Sequence, residues 1–214
     1  MYDMLALYEA KNVQDAVRLR LEHPEAQIIA GGTDVLVQMR EGKRAGKALI
    51  SIQKCGEMRG ISIDDEENIR IGSLTSFTHI TNDPIIQKYI NVLGEAVDMV
   101  GGPQIRNAGT IGGNTCNGVT SADSASTLHA WEAIVEITGK NGVRRATHQG
   151  VLHQGGYRGS AGGGRRDPDR HPHPQDVLRP DVGTLHQIRH AQRHGYRHAG
   201  YLRQCAAQPR RKDV

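Results

Sequence analysis

Two glycine-bearing stretches hold the residues whose types and spacing could do chemistry. The first is AQIIAGGTDVL, centred on Gly31 and Gly32. The second, AGTIGGNTCNGVTSADSAS, runs from Ala108 to Ser126 and packs four glycines, two asparagines and one carboxylate into a polar run. Glycine lets a ligand approach the backbone closely, and amides at a strand-to-helix turn lack intrahelical partners, so such turns bind phosphate. Either pair could equally be a tight turn that touches no ligand. The second stretch adds a hydroxyl at Thr110 and, at Asn114, an amide that both donates and accepts. Asp123 lies in the first turn of a predicted helix, where a carboxylate can offset the helix dipole or accept from ribose or ribityl hydroxyls. Neither stretch has the G-x-G-x-x-G spacing of a Rossmann fingerprint. Two separate phosphate-type turns predict one ligand with a pyrophosphate and a long polyol, and FAD is the obvious candidate.

The elements that must position these turns are short. Asn12 is placed to cap a helix through VQDAVRLRLEHP, where Val13, Ala16, Val17 and Leu21 share a face and Pro24 ends the run. AQIIAGG (Ala26–Gly32) reads as a strand, TDVLVQM as a helix capped by Thr33, and KALISI (Lys47–Ile52) as a second buried strand. The start of the chain is therefore helix–strand–helix–strand. Beyond Gly60, ISIDDEENIRIGS alternates like a hairpin with Asp64, Asp65 and Glu66 in its turn. Phe77 to Val100 is mostly helical, with a break at Asp83-Pro84. GGPQIRNAGTIGGN reads as a loop crossing into a strand, SADSASTLHAWEA as a helix begun by Ser121, and Ile134–Gly139 as a strand. The fold class is α/β (α+β) in two lobes: a small α/β lobe over residues 1–57 and a larger mixed lobe over 58–145.

Composition divides at a similar place. Residues 1–143 hold 13 Lys+Arg against 18 Asp+Glu, whereas residues 144–214 hold 14 against 5, giving the net +4. Eight of the eleven histidines fall in that last part. Cys55, Cys116 and Cys205 are far apart and odd in number, with neither disulfide nor zinc spacing, as in a reducing compartment. No apolar run approaches the roughly 18 residues of a membrane span, and the acidic start MYDMLALYEA is unlike a signal peptide. A cytoplasmic protein is expected. His79 and His129 read as surface or packing histidines, Trp131 as a core residue, and Cys116 as a small apolar thiol within the second turn.

The pairing of AGGTDVL with PQIRNAGTIGGNTCNGVTSADSA resembles the FAD-binding medium subunit of the molybdenum hydroxylases, and within them that of the bacterial xanthine dehydrogenases. The resemblance covers Met1 to about Arg145. It implies the two-lobed FAD-binding (PCMH-type) fold shared with vanillyl-alcohol oxidase and UDP-enolpyruvylglucosamine reductase, with non-covalent FAD between the lobes. By position, Gln27, Ile28, Ile29, Ala30, Gly31, Gly32, Thr33 and Asp34 would form one phosphate cradle. Gly109, Thr110, Ile111, Gly112 and Gly113 would form the second, with Asn114 and Asp123 beside the ribityl–phosphate chain. The resemblance further implies partner subunits, a large one with the molybdenum cofactor and a small one with [2Fe–2S] clusters, and NAD as the electron acceptor. Other members act on carbon monoxide, nicotinate or aromatic acyl-CoA, a choice made on the molybdenum subunit. No catalytic residue and no metal ligand are assigned to this chain.

From Ala146 the resemblance stops, and HQGGYRGSAGGGRRDPDRHPHPQDVLRPD shows no sustained apolar period. Such a tail, 146–214, could be a nucleic-acid-binding basic arm or a histidine metal tract. A third origin is out-of-frame translation. Permitted codons for Gly150–Ser160, shifted by one base, read EFYTRAGTVDL, and the same shift turns His186–Gly200 into IKYAMRNAMDIATLG. Both are like the family. The frameshift reading is favoured here over a nucleic-acid partner, and it predicts a disordered tail and an exposed sheet edge where strands of the larger lobe are missing.

Overall fold

The computed structural model describes residues 3–119, 121–148 and 151, and the backbone of 184–190. The small lobe is a parallel sheet in the order β1-β3-β2, formed by β1 (Met4–Glu9), β2 (Gln27–Ile29) and β3 (Lys47–Ser51). Both outer strands run parallel to β3, with Leu7 opposite Leu49 and Ile28 opposite Ile50. Helix α1 (Val13–Glu22) begins at Asn12, whose side chain accepts from the Asp15 amide at 2.8 Å, and ends just before Pro24. Its apolar stripe packs Val13, Ala16 and Leu19 onto Ala48 and Ile50. The opposite sheet face packs Ile29 and Leu49 against Met39 of α2 (Val35–Arg40).

In the larger lobe the sheet order is β4-β5-β8-β6-β7, every pair antiparallel. Its strands are β4 (Ile61–Ile63), β5 (Ile69–Gly72), β6 (Ile134–Gly139), β7 (Gly142–Thr147) and β8 (Thr184–His190). The acidic turn of the β4–β5 hairpin is closed by Asp64, which accepts from the amides of Glu66 and Asn68. Among the described residues the helices of this lobe are α3 (Phe77–Asn82), α4 (Pro84–Tyr89), α5 (Asn91–Asp98), α6 (Pro103–Ala108), α7 (Ile111–Asn117) and α8 (Asp123–Ala130), of which α6 buries no residue and rests on α3. The break expected at Asp83-Pro84 is present, with the Asp83 carboxylate capping α4. Ile69, Ile71, Phe77, Ile80, Leu93 and Ile111 form the centre of this core, and Trp131 packs against it partly buried. His79 and His129 are exposed.

Several expectations require correction. Strand β1 is absent from the sequence reading because Leu5 and Leu7 are exposed, which spoils the apolar–polar alternation of an edge strand. Thr33 does not cap α2; Asp34 occupies that position, without a side-chain cap bond. Ser121 does not begin α8, whose cap position is Ala122. The stretch expected to be a loop and a strand is two helices, α6 and α7. Pro103 starts α6 at the position where a missing amide hydrogen is harmless. Helix α7 forms despite two glycines because Thr110 caps it, Ile111 is fully buried, and left-handed Gly118 ends it.

The tail also departs from expectation within the described residues. Residues 184–190 form β8, inserted between β5 and β6 with Ile71 and Val135 both opposite Ile188. Unpaired N–H and C=O groups on the facing sides of β5 and β6 accept any extended backbone, whatever its side chains. The sheet interior is therefore closed where an open edge is predicted. The disorder, basic-arm and metal-tract readings concern 146–214, of which 149–150, 152–183 and 191–214 lie outside the described residues.

A cleft between the two glycine turns

The two turns touch backbone to backbone. A β-carbon on Gly31 would overlap the Ala108 carbonyl oxygen, and would stand 2.6 Å from the Ala108 carbonyl carbon and 3.2 Å from the Gly109 nitrogen. Only glycine permits that approach. Gly32 has a different reason for its identity: φ is +74°, which ordinary side chains rarely adopt. Beside this contact lies a cleft of about 700 Å³, within the range of small-molecule sites.

Twelve of the fifteen residues expected at a ligand line this cleft: Gln27, Ile28, Ala30, Gly31, Gly32, Thr33 and Asp34 from the first stretch, and Gly109, Thr110, Gly112, Gly113 and Asn114 from the second. Ile29 and Ile111 do not line it, because both are buried in the cores. Asp123 is exposed at the start of α8 and does not line it either.

The turns differ in what they offer. Among the described residues, the amides of Gly31, Gly32, Thr33 and Asp34 donate to no protein acceptor, so four consecutive donors are open. A side-chain relay braces this turn: Arg44 donates to Gln27 and to Gln38, and Gln38 Nε2 donates to Asp34 Oδ2 at 2.6 Å. Gln53 Nε2 holds the Ala30 carbonyl at 2.6 Å.

The second turn is not an amide cradle, contrary to expectation. The Gly109 amide donates to Ile105 O, Gly112 to Ser73 O, Gly113 to Thr110 Oγ1 and Asn114 to Thr110 O. What it presents instead is side-chain chemistry on bare backbone: the Thr110 hydroxyl and the Asn114 amide. Ser124 Oγ donates to Asn114 Oδ1 at 2.7 Å, which orients that amide and leaves its NH₂ as donor. The turn is stitched to the segment after β5, with Ile111 N on Thr75 O at 3.1 Å and Phe77 N on Gly109 O at 3.2 Å.

That segment, residues 73–77, contributes Ser73, Leu74 and Phe77 to the wall. Ser73 is buried, and its hydroxyl has no partner among the described residues. Arg20 and Lys47 supply positive charge to the wall. Arg20 is steadied by carbonyls at the end of α1, those of His23, Pro24 and Ala26. Cys116 also lines the cleft, and burial pushes its thiol up to about 11, so it stays protonated and inert near neutrality. Sequence reasoning missed Ser73, Arg20 and Arg44, which stand outside both glycine stretches, and Ser124, whose bond to Asn114 depends on α8 folding back against α7. Open amides beside bare backbone, flanking cations and an orphaned buried hydroxyl suit a phosphate-bearing polyol, and they fit FAD.

Residues 3–158 match the family described as the FAD binding domain in molybdopterin dehydrogenase. The chain belongs to this family. The match runs past Arg145, the limit expected from the motifs. Similar proteins include the putative xanthine dehydrogenase FAD-binding subunit of Escherichia coli K12, 41% identical over 144 residues, covering 67% of this chain and 49% of that one. The nicotinate dehydrogenase FAD-subunit of Eubacterium barkeri is 34% identical over 140 residues, 64% of this chain and 47% of that one. Among solved structures, carbon monoxide dehydrogenase from Hydrogenophaga pseudoflava superposes with a TM-score of 0.75 at 26% identity, over 90% of this chain and 60% of that one. The two-lobed FAD-binding fold is thereby shown, and the chain spans about half the length of the curated relatives it matches. No helix among the described residues is long and apolar enough to cross a membrane.

Proposed function

We propose that this chain is the FAD-binding electron-transfer subunit of a xanthine-dehydrogenase-like molybdenum hydroxylase. It would sit in the cytoplasm with a large molybdenum-cofactor subunit and a small [2Fe–2S] subunit, with NAD as terminal acceptor. The observation that carries this reading is the backbone contact of Gly31 with Ala108 and Gly109 beside a cleft with four open amides. Bound FAD would supply the conversion of single electrons from iron–sulfur centres into a hydride for NAD. The chain's own part is to bind and orient. The amides of Gly31 to Asp34 hold a phosphate, Arg20 and Lys47 offset its charge, and Thr110 and Asn114 hydrogen-bond the polyol chain. Asp123, exposed at the start of α8 and outside the cleft lining, is placed beside that chain by the resemblance alone. The shared domain occurs in relatives named for xanthine, nicotinate and carbon monoxide, which supports a substrate choice made outside this chain.

The test is titration of the purified chain with FAD, followed by visible absorption and by quenching of flavin fluorescence, and repeated on a chain with the shifted frame restored. Bound flavin in either form supports the reading. Free flavin at all concentrations in both forms rejects it.

A further inference from the structure

Ser73 stands apart from both glycine motifs, and the fold gives it no internal task. Its residue is 3% exposed, yet its hydroxyl meets no donor or acceptor among the described residues. Its own carbonyl is used, accepting from Gly112 N at 2.9 Å, which pins Ser73 directly behind the second turn. The neighbouring hydroxyls are engaged: Thr75 Oγ1 donates to the Gly60 carbonyl at 3.1 Å, and Ser76 Oγ accepts from His79 N at 3.2 Å. Of these three, only Ser73 lines the cleft.

A buried hydroxyl without a partner destabilises a fold, because its lost hydration is not replaced. An alanine there would fill nearly the same volume without that penalty. We propose that Ser73 is a ligand-binding residue of the cleft, its hydroxyl hydrogen-bonding the phosphate or ribityl oxygens of the bound FAD. This rests on the reading of the cleft as a flavin site. It extends that site to a third chain segment, so the ligand is gripped from β2–α2, from α7 and from the β5–α3 connection together.

The signature is a pair of effects of opposite sign. With Ser73→Ala in the full chain, the ligand-free protein should keep or raise its thermal midpoint, because an orphaned polar group has been removed. FAD affinity, read by fluorescence quenching, should fall about tenfold, which is 1.4 kcal/mol. Ser73→Thr, which retains the hydroxyl, should bind within threefold of the parent and shows that alanine's effect is not steric. Equal FAD affinity in the parent and Ser73→Ala overturns the assignment of Ser73 while leaving the flavin site standing. A lowered midpoint of ligand-free Ser73→Ala assigns the hydroxyl a structural role and overturns it as well. Where only the frame-restored chain binds FAD, the same comparison is made in that form, and absence of binding in both forms overturns both readings.

Discussion

Replacing Gly31 by alanine tests whether the contact between the two turns makes the site. An added β-carbon would stand 2.6 Å from the Ala108 carbonyl carbon, against an ordinary contact of 3.4 Å or more. The obstructing atoms are backbone, so no side chain can swing aside. Clearing the carbonyl carbon alone separates the turns by about 0.8 Å, the difference between those distances, and the overlapped carbonyl oxygen demands more. Overpacking of this kind costs about 1–3 kcal/mol of stability, and the upper end applies where only backbone can yield. A donor moved 0.8 Å from 2.9 Å lies beyond hydrogen-bond range. Losing two bonds to a charged phosphate removes about 3 kcal/mol of binding, roughly a hundredfold in Kd. Urea unfolding of the ligand-free chain and fluorescence titration with FAD measure the two effects separately. Gly42→Ala is the control: Gly42 has φ +78° but nothing within 4 Å of a β-carbon, so it carries backbone strain of about 1 kcal/mol without touching the cleft. A Gly31→Ala protein that binds FAD within threefold of the parent refutes the reasoning, whatever its stability.

The remaining predictions address the supports of the site. His148 is buried, and burial, reinforced by the charge of nearby His129, pulls its pKa from 6.5 to about 4. The unfolded chain therefore binds the extra proton first, so stability is full above about pH 6.5 and falls as pH drops toward 4. The loss from pH 7 to pH 5 is about 2 kcal/mol, measurable by urea titration, and His148→Phe should flatten that slope. Thr110→Val removes the acceptor of the Gly113 amide and should cost about 1 kcal/mol of stability; unfolding midpoints that match the parent would show that the cap is dispensable. Asn12→Ala should cost a similar amount by losing the bond to the Asp15 amide, yet leave FAD affinity unchanged, since α1 meets the cleft through Arg20 and not through its cap.

What could be read from the sequence was local. The Asn12 cap, the strand ending at Gly31-Gly32, the acidic hairpin and the Asp83-Pro84 break each depend on residues within a few positions of one another, and each is present. Helix α7 was not legible because its support is tertiary: Ile111 is buried in a core built from residues of β5, α3, α4, α5 and α8. The same distance hid the state of the second turn. A glycine pair implies exposed amides only if no other segment claims them, and here Ser73 and Thr75, well upstream, accept from Gly112 and Ile111. The β8 insertion is the converse case, in which backbone demand from β5 and β6 overrides an unpromising sequence.

These facts give the segment 73–77 a larger part in the site than either glycine motif suggests. Leu74 is buried in the small-lobe core beside Ile50 and Met58, whereas Phe77, three residues on, is buried in the core of the larger lobe. Between them, the carbonyls of Ser73 and Thr75 and the amide of Phe77 hold the second turn. A displacement of either core is therefore transmitted to Gly109 through Gly112 by backbone bonds, with no flexible side chain to absorb it. The first turn meets the second through the Gly31–Ala108 contact, which is equally unyielding. The cleft is thus defined by two backbone junctions, one covalently continuous with both cores and one purely steric, and a ligand that bridges the turns stabilises the seating of one lobe on the other.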